Sequence, residues 1–406
     1  MTTLIGCIRK KEKWINISYY VLYAILYLSA LVGTTTFMGW EGVPRVRNLF
    51  YMGATAGMCA LWMLGIVLQE SWKVNVAKAV ILLVGILQFT IGGGSSLILI
   101  LTILIGATDR KSADIILKES MVIGILILFI AYVASKYGYI EYKVSGDGRH
   151  SFGFIYYSHF SDKLLYLYMM FRCLYHKRLS IAGYALSFIL VYLDFRYTHA
   201  RTVTICFVLF LLLCGVYDFM SFVREKRGKT AANQTHGSSR ALNENVLKMI
   251  GILTSATYLF ASVLSFWGIY LYRLMGNMEI PDELRTFVAR LQLSSDAMKQ
   301  YGFTLFGQKI YESINGGPYF YLDNSYIRLF FITGAVTLAF FVAYMAWLMW
   351  RMFTEKRYIL FFVLFVAAIG GLSETYTINF YYNVFAILAF ARLGCIGTIS
   401  EREKTT

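Results

Sequence analysis

Proline is nearly missing from this chain: 3 residues in 406. A proline removes a backbone amide and kinks a helix, so long helices here are expected to run largely unbroken. Charge is scarce too, at 15%, against 58% apolar residues and 17% aromatics. That leaves too little polar surface to coat a water-soluble body, which excludes a soluble globular protein. The six cysteines (Cys7, Cys59, Cys173, Cys206, Cys214 and Cys395) fall in apolar runs or on the expected inner side. No disulfide across an outer loop is therefore expected, and no Cys/His set has zinc spacing. No Asp-x-Asp pair occurs to hold a divalent cation, so the reading has no metal and no cofactor. The net charge of +15 sits in small clusters at helix ends and forms no continuous stripe, which argues for headgroup contacts and against nucleic acid.

What the sequence has is apolar runs of membrane-crossing length, roughly 20 residues each. They predict an all-α, polytopic membrane helix bundle, a single domain over 1–406, with about twelve spans. The expected spans are 15–38, 49–68, 74–91, 95–108, 120–138, 163–176, 179–194, 202–223, 247–270, 327–350, 358–373 and 376–393. Arg172 is expected near a span end, where it can snorkel to the interface. With both termini cytoplasmic, about 22 of the 38 basic residues fall inside, as the positive-inside rule asks. The basic loop 224–246 is then cytoplasmic and the long loop 271–326 extracytoplasmic. The N-terminal apolar run is too long for a signal peptide and counts as the first span. No internal repeat is visible, and the main inner loop follows the eighth span, which argues against a transporter of two six-span halves.

The chemistry is expected on the outer face. The long loop predicts a helix of its own: Pro281 at the first position, Asp282 and Glu283 in the first turn, then Leu284, Phe287, Val288 and Leu291 at helical spacing. One side of it would rest on the membrane or on the bundle. Arg149, Arg201 and Arg290 each stand in an outer segment, where positive-inside selection works against them. A guanidinium fork suits a diphosphate, and Arg201 also opens a helix whose terminal amides favour an anion. His150, beside Arg149, adds a donor when protonated. The candidate general bases are Glu374, His159 and Asp323. Asp323 with Asn324 has a plainer use as a helix cap, and His159 as a hydrogen-bonded residue at a span entrance. A carboxylate placed like Glu374, at the membrane boundary, is costly without a partner or a task.

In order along the chain, "RHSFGF", "THART", "ARLQL" followed by "YGFTLFG", "DNSYIRLFFITG" and "GLSET" resemble the Wzy-type polymerases of bacterial O-antigen, capsule and exopolysaccharide, within the O-antigen polymerase and ligase superfamily. Some members place ten residues between an arginine and a glycine of the long loop; here eleven separate Arg290 from Gly302. The resemblance implies a metal-independent glycosyltransferase of the bacterial inner membrane. Its donor and acceptor would be undecaprenyl-diphosphate-linked oligosaccharides, with a chain-length regulator as a possible partner. It also implies that Arg149, Arg201 and Arg290 bind diphosphate. The rivals are an O-antigen ligase, which differs in acceptor, a lipid-linked oligosaccharide flippase, and a transferase using Glu41 in the first outer loop. A flippase predicts charges inside spans, where the sequence offers little beyond Lys78 and Arg172.

Overall fold

Apolar residues recurring every three to four positions make helices, and the described residues form helices, turns and three isolated β-bridges. The computed structural model describes residues 12–68, 71–92, 96–146, 148–175, 177–230, 249–275, 285–312 and 320–398. Most of the basic loop 224–246, together with Pro281, Asp282, Glu283 and Leu284, lies outside the described residues. In chain order the helices are α1 (Glu12–Val32), α2 (Val43–Leu68), α3 (Trp72–Ile91), α4 (Ser96–Ala107), α5 (Ala113–Lys136) and α6 (Tyr157–Leu174). There follow α7 (Ile181–Thr198), α8 (Arg201–Thr230), α9 (Thr257–Met275), α10 (Arg285–Tyr301), α11 (Ser325–Thr333), α12 (Ala335–Thr354) and α13 (Tyr358–Gly370).

Among the described residues, α1, α2, α3, α5, α8, α9 and α12 are long and apolar enough to cross a membrane; α4 and α13 are shorter apolar helices. Leu49, Phe129, Ile205, Val263 and Trp267 on these helices are more than half exposed. So much exposed apolar surface belongs against lipid, and the chain is a helical membrane protein. Inside, α1 packs on α2 and α5, while α6 packs on α5, α7, α8 and α13. Tyr19, Tyr23 and Tyr27 recur at i, i+4 on α1, stack at 6.1 and 5.7 Å, and are fully buried, with the Tyr23 hydroxyl 2.7 Å from Ser120 Oγ.

Three sequence expectations change. The span expected at 327–350 is broken at Gly334, whose φ is +90°. There the carbonyls of Thr304 and Leu305 accept from the amides of Ala335 and Val336, both at 3.1 Å. A Cβ on Gly334 would lie 2.3 Å from the Leu305 oxygen. The two motifs "YGFTLFG" and "FFITG" interlock at this point, and only glycine permits both the backbone angle and the approach.

The second change concerns 376–393, which is no α-helix. It forms 3-10 turns at Thr375–Ile378 and Val384–Phe390 joined by irregular backbone, and nearly all of it is buried. Its carbonyls are satisfied from outside: by Lys163 Nζ at Tyr381, Tyr344 Oη at Ala386 (2.6 Å), Thr108 Oγ1 at Ile387 (2.8 Å) and Arg351 at Ala389. Irregular backbone is tolerated at membrane depth only when buried in protein in this way.

The third change concerns Arg172. It does not snorkel: it is fully buried, with Nη2 3.2 Å from the Asp218 carboxylate.

Candidate functional site

Helix α6 starts earlier than expected, so its first two turns carry His159, Ser161, Asp162 and Lys163 into the interior. Around that end of the bundle meet the C-terminus of α7, the N-terminus of α8, α10, α11 and the turn after α13. Ser158 Oγ lies 3.1 Å from the Tyr376 hydroxyl, and the Ser325 amide donates to the Gly371 carbonyl at 2.8 Å. Helix α10 rests on the bundle. Ala297 packs with Ile269 and Phe331, and Arg273 from α9 holds Ser295 through Nε (2.9 Å to Oγ) and Nη2 (3.0 Å to the carbonyl).

This seat brings three predicted residues from three segments together. Arg290 Nε is 3.0 Å from Asp323 Oδ2, and its Nη2 is 3.8 Å from Glu374 Oε1. The side chains are 28%, 21% and 15% exposed, so the cluster is half-buried and open to one side. Asn324 caps α11, accepting from the amides of Tyr326 and Ile327; Asp323 is thereby left for Arg290. Burial raises the Asp323 carboxyl above its ordinary value, with Arg290 opposing. Burial also pushes Glu374 up to about 7; Arg290 pulls it down and Asp323 pushes it up. A carboxylate that titrates near neutrality beside a fixed cation is equipped to accept a proton.

A neighbouring pair fixes the loop. Arg328 and Glu312 form a bidentate bridge, Nη2 to Oε2 at 2.7 Å, and the guanidinium lies 4.7 Å from the Tyr321 ring centroid. Sequence reasoning missed this pair, although Arg328 stands in the quoted "DNSYIRLFFITG" motif.

The other predicted residues take different places. Arg201 opens α8 as expected and is exposed, and Thr202 after it lines a narrow cavity that Asp162 and Glu374 also line. Arg149 is exposed, its guanidinium 5.7 Å from the ring centroid of Tyr157 at the start of α6. His150 is held in an aromatic nest: Nδ1 lies 2.8 Å from the Tyr142 hydroxyl, and Phe152 and Tyr197 flank the ring. Its amide donates to the Tyr197 carbonyl at 2.9 Å, tying the loop of Arg149 to the α7 end just before Arg201. His159 is 7% exposed, packed among Tyr156, Tyr376 and Tyr382, with Nδ1 3.4 Å from the Thr34 carbonyl. It is built into the wall, and the plainer use foreseen for it fits these contacts.

The interior holds more charge than the sequence reading allowed. Besides Lys78 and Arg172, the bundle buries Asp162, Lys163, Asp194 and Asp218. Lys163 Nζ lies 4.1 Å from the Tyr382 ring centroid and donates to the Tyr381 carbonyl. Asp194 accepts from Ser161 at 2.8 Å. Asp162 and Lys163 had been placed at the loop boundary; the signal was "SDKLLYLYMM", charge running directly into an apolar helix. Compared with known proteins, the chain matches no family model, no curated protein and no solved structure, so the site is read from its own chemistry.

Proposed function

We propose that this chain is a polysaccharide polymerase of the type its sequence resembles, a glycosyltransferase acting at the outer face of the bacterial inner membrane. The chain crosses about twelve times with both termini cytoplasmic. The observation that carries the reading is Arg290 set between Asp323 and Glu374, a diphosphate-type cation beside a carboxylate that titrates near neutrality. In this reading Arg290, with Arg149 and Arg201, grips the undecaprenyl diphosphate of the donor. An acceptor hydroxyl of a lipid-linked repeat attacks the anomeric carbon, the bond to the diphosphate oxygen breaks, and the leaving group departs with the electron pair. Arginine forks offset that developing charge, and Glu374 takes the hydroxyl proton. A chain-length regulator would act on this protein from outside the site.

The test uses purified protein in liposomes with lipid-linked repeats extracted from cells that carry only the Arg290→Ala variant. With chelator and without nucleotide or ion gradient, wild-type protein lengthens the repeats, read on a gel. Transfer to lipid A core alone identifies a ligase. The buried charges Asp162 and Lys163 favour a flippase as the second reading; translocation of the repeats with no lengthening establishes it and removes the polymerase.

A further inference from the structure

Asp162 is a buried acid to which the transfer step assigns no role. It is 3% exposed, its Oδ2 has no hydrogen-bond partner, and it lines the same narrow cavity as Glu374. A buried carboxyl without a donor is costly, and two carboxyl groups facing one enclosed space do not both ionise. The cavity has polar walls at Thr202 and Thr377 and room for about one water molecule.

We propose that Asp162 and Glu374 form a carboxyl pair that shares one proton across this cavity, and that the pair receives the proton of the acceptor hydroxyl. The role in transfer rests on the polymerase reading; the shared proton does not. Before the reaction the pair holds one proton and one negative charge. As the glycosidic bond forms and the diphosphate leaves with its electron pair, the hydroxyl proton enters the pair, which becomes neutral. It returns to water through Glu374, whose side chain is 15% exposed where Asp162 is sealed.

The charged groups facing Asp162 are Lys163 on its own helix, Asp194 on α7, Arg290 on α10 and Glu374 after α13. Lys163 donates to the Tyr381 carbonyl and Asp194 accepts from Ser161, and Asp162 Oδ2 has no hydrogen bond to either. The phenols of Tyr166, Tyr376 and Tyr382 and the thiol of Cys206 complete the surroundings.

Infrared difference spectra of the wild-type protein, recorded without substrate against pH, read the shared proton directly. A protonated-carboxyl band that persists at neutral pH, disappears on alkalinisation, and is altered by both Asp162→Asn and Glu374→Gln is the expected result. A neutral-pH spectrum without that band, or a band untouched by either substitution, overturns the proposal whatever the activity. In the lengthening assay Asp162→Asn, which cannot share the proton, lowers the rate by about threefold or more at neutral pH and removes from the rate profile the alkaline ionisation that belongs to the pair. Asp162→Leu loses about 10-fold or more at the same thermal stability. An unchanged alkaline limb in Asp162→Asn overturns the catalytic role. A wild-type protein that shows the band and lengthens nothing sinks the polymerase reading and leaves the pair standing.

Discussion

The two ends of α6 handle buried charge in opposite ways. At the C-terminal end Arg172 is fully buried against Asp218, and the Asp218 carboxylate also accepts from the Leu179 amide (3.1 Å) and the Tyr184 hydroxyl (2.8 Å). The acid takes donors from three residues, although Arg172 Nε has no hydrogen-bond partner. At the N-terminal end Arg290 shares itself between two carboxylates at 3.0 and 3.8 Å, all three side chains remain partly exposed, and Asp162 behind them has an oxygen with no partner. A saturated acid fixes a shape. An undersaturated one retains donors and acceptors for something that arrives later, and the cost of leaving them open is one that folding alone does not recover.

Substitutions at four positions test that contrast, from the largest effect to the smallest. Arg172→Met leaves the Asp218 charge buried without its cation and should cost about 3–5 kcal/mol, read as a large drop in thermal unfolding temperature of the detergent-purified protein. An unchanged unfolding temperature would mean that the saturated end is not structural. Arg290→Ala should reverse the pattern. Stability falls by less than about 1 kcal/mol because the pair is partly exposed, while polymer is lost by about 100-fold or more and single lipid-linked repeats accumulate. Lysine should rescue it poorly, since a point charge does not reproduce the fork. Full polymer from Arg290→Lys would remove the diphosphate grip from the argument.

Gly334→Ala comes next. Its backbone sits at φ +90° and a Cβ would press on the Leu305 carbonyl, so about 1–3 kcal/mol of strain is expected, with the long loop loosened before the bundle. Hydrogen exchange should show faster opening around Thr304 to Gly307 than in α6. Equal protection at both would show that the interlock does not hold the loop. Asp323→Asn is the gentlest. Asp323 raises the Glu374 value of about 7, so its loss should move the acid limb of the rate profile to lower pH. A limb that stays in place, or moves up, would take Glu374 out of the base's role. The same raised value predicts that stability falls as pH climbs from about 4.3 to about 7, where the folded state still holds the proton and the unfolded chain has released it.

The bundle was largely legible because composition and run length measure the cost of exposure to water: among the described residues, the seven helices long and apolar enough to cross a membrane all overlap expected spans. What was not legible was backbone behaviour inside those runs. The segment "NFYYNVFAILAFARL" reads as a span by hydropathy, yet donors from Lys163, Thr108, Tyr344 and Arg351, distant in sequence, let it abandon the helix. Gly334 in the middle of an apolar run gave a weak local sign of a break, and its partner carbonyls lie some thirty residues upstream, beyond any local pattern. At the site, Arg290, Asp323 and Glu374 were each visible as charged residues in outer segments. Their meeting was not, because it depends on α10 seating against α9. Asp162 was hidden for the opposite reason: a boundary drawn at Lys163 turned a buried acid into a loop residue.

The irregular segment after α13 also bears on how the chain assembles. A membrane helix closes its own hydrogen-bond ladder and can enter lipid alone, before it meets a partner. Residues 375–390 have only short 3-10 runs in place of a continuous ladder, and the carbonyls of Tyr381, Ala386 and Ile387 accept from side chains of α6, α12 and the turn after α4. Unaccompanied in lipid, this stretch would leave several carbonyls bare, so its place in the bundle exists only once those neighbours are docked. Until it is docked, Glu374, which directly precedes it, has no fixed position, and an incompletely assembled bundle would carry Arg290 without the acid that faces it.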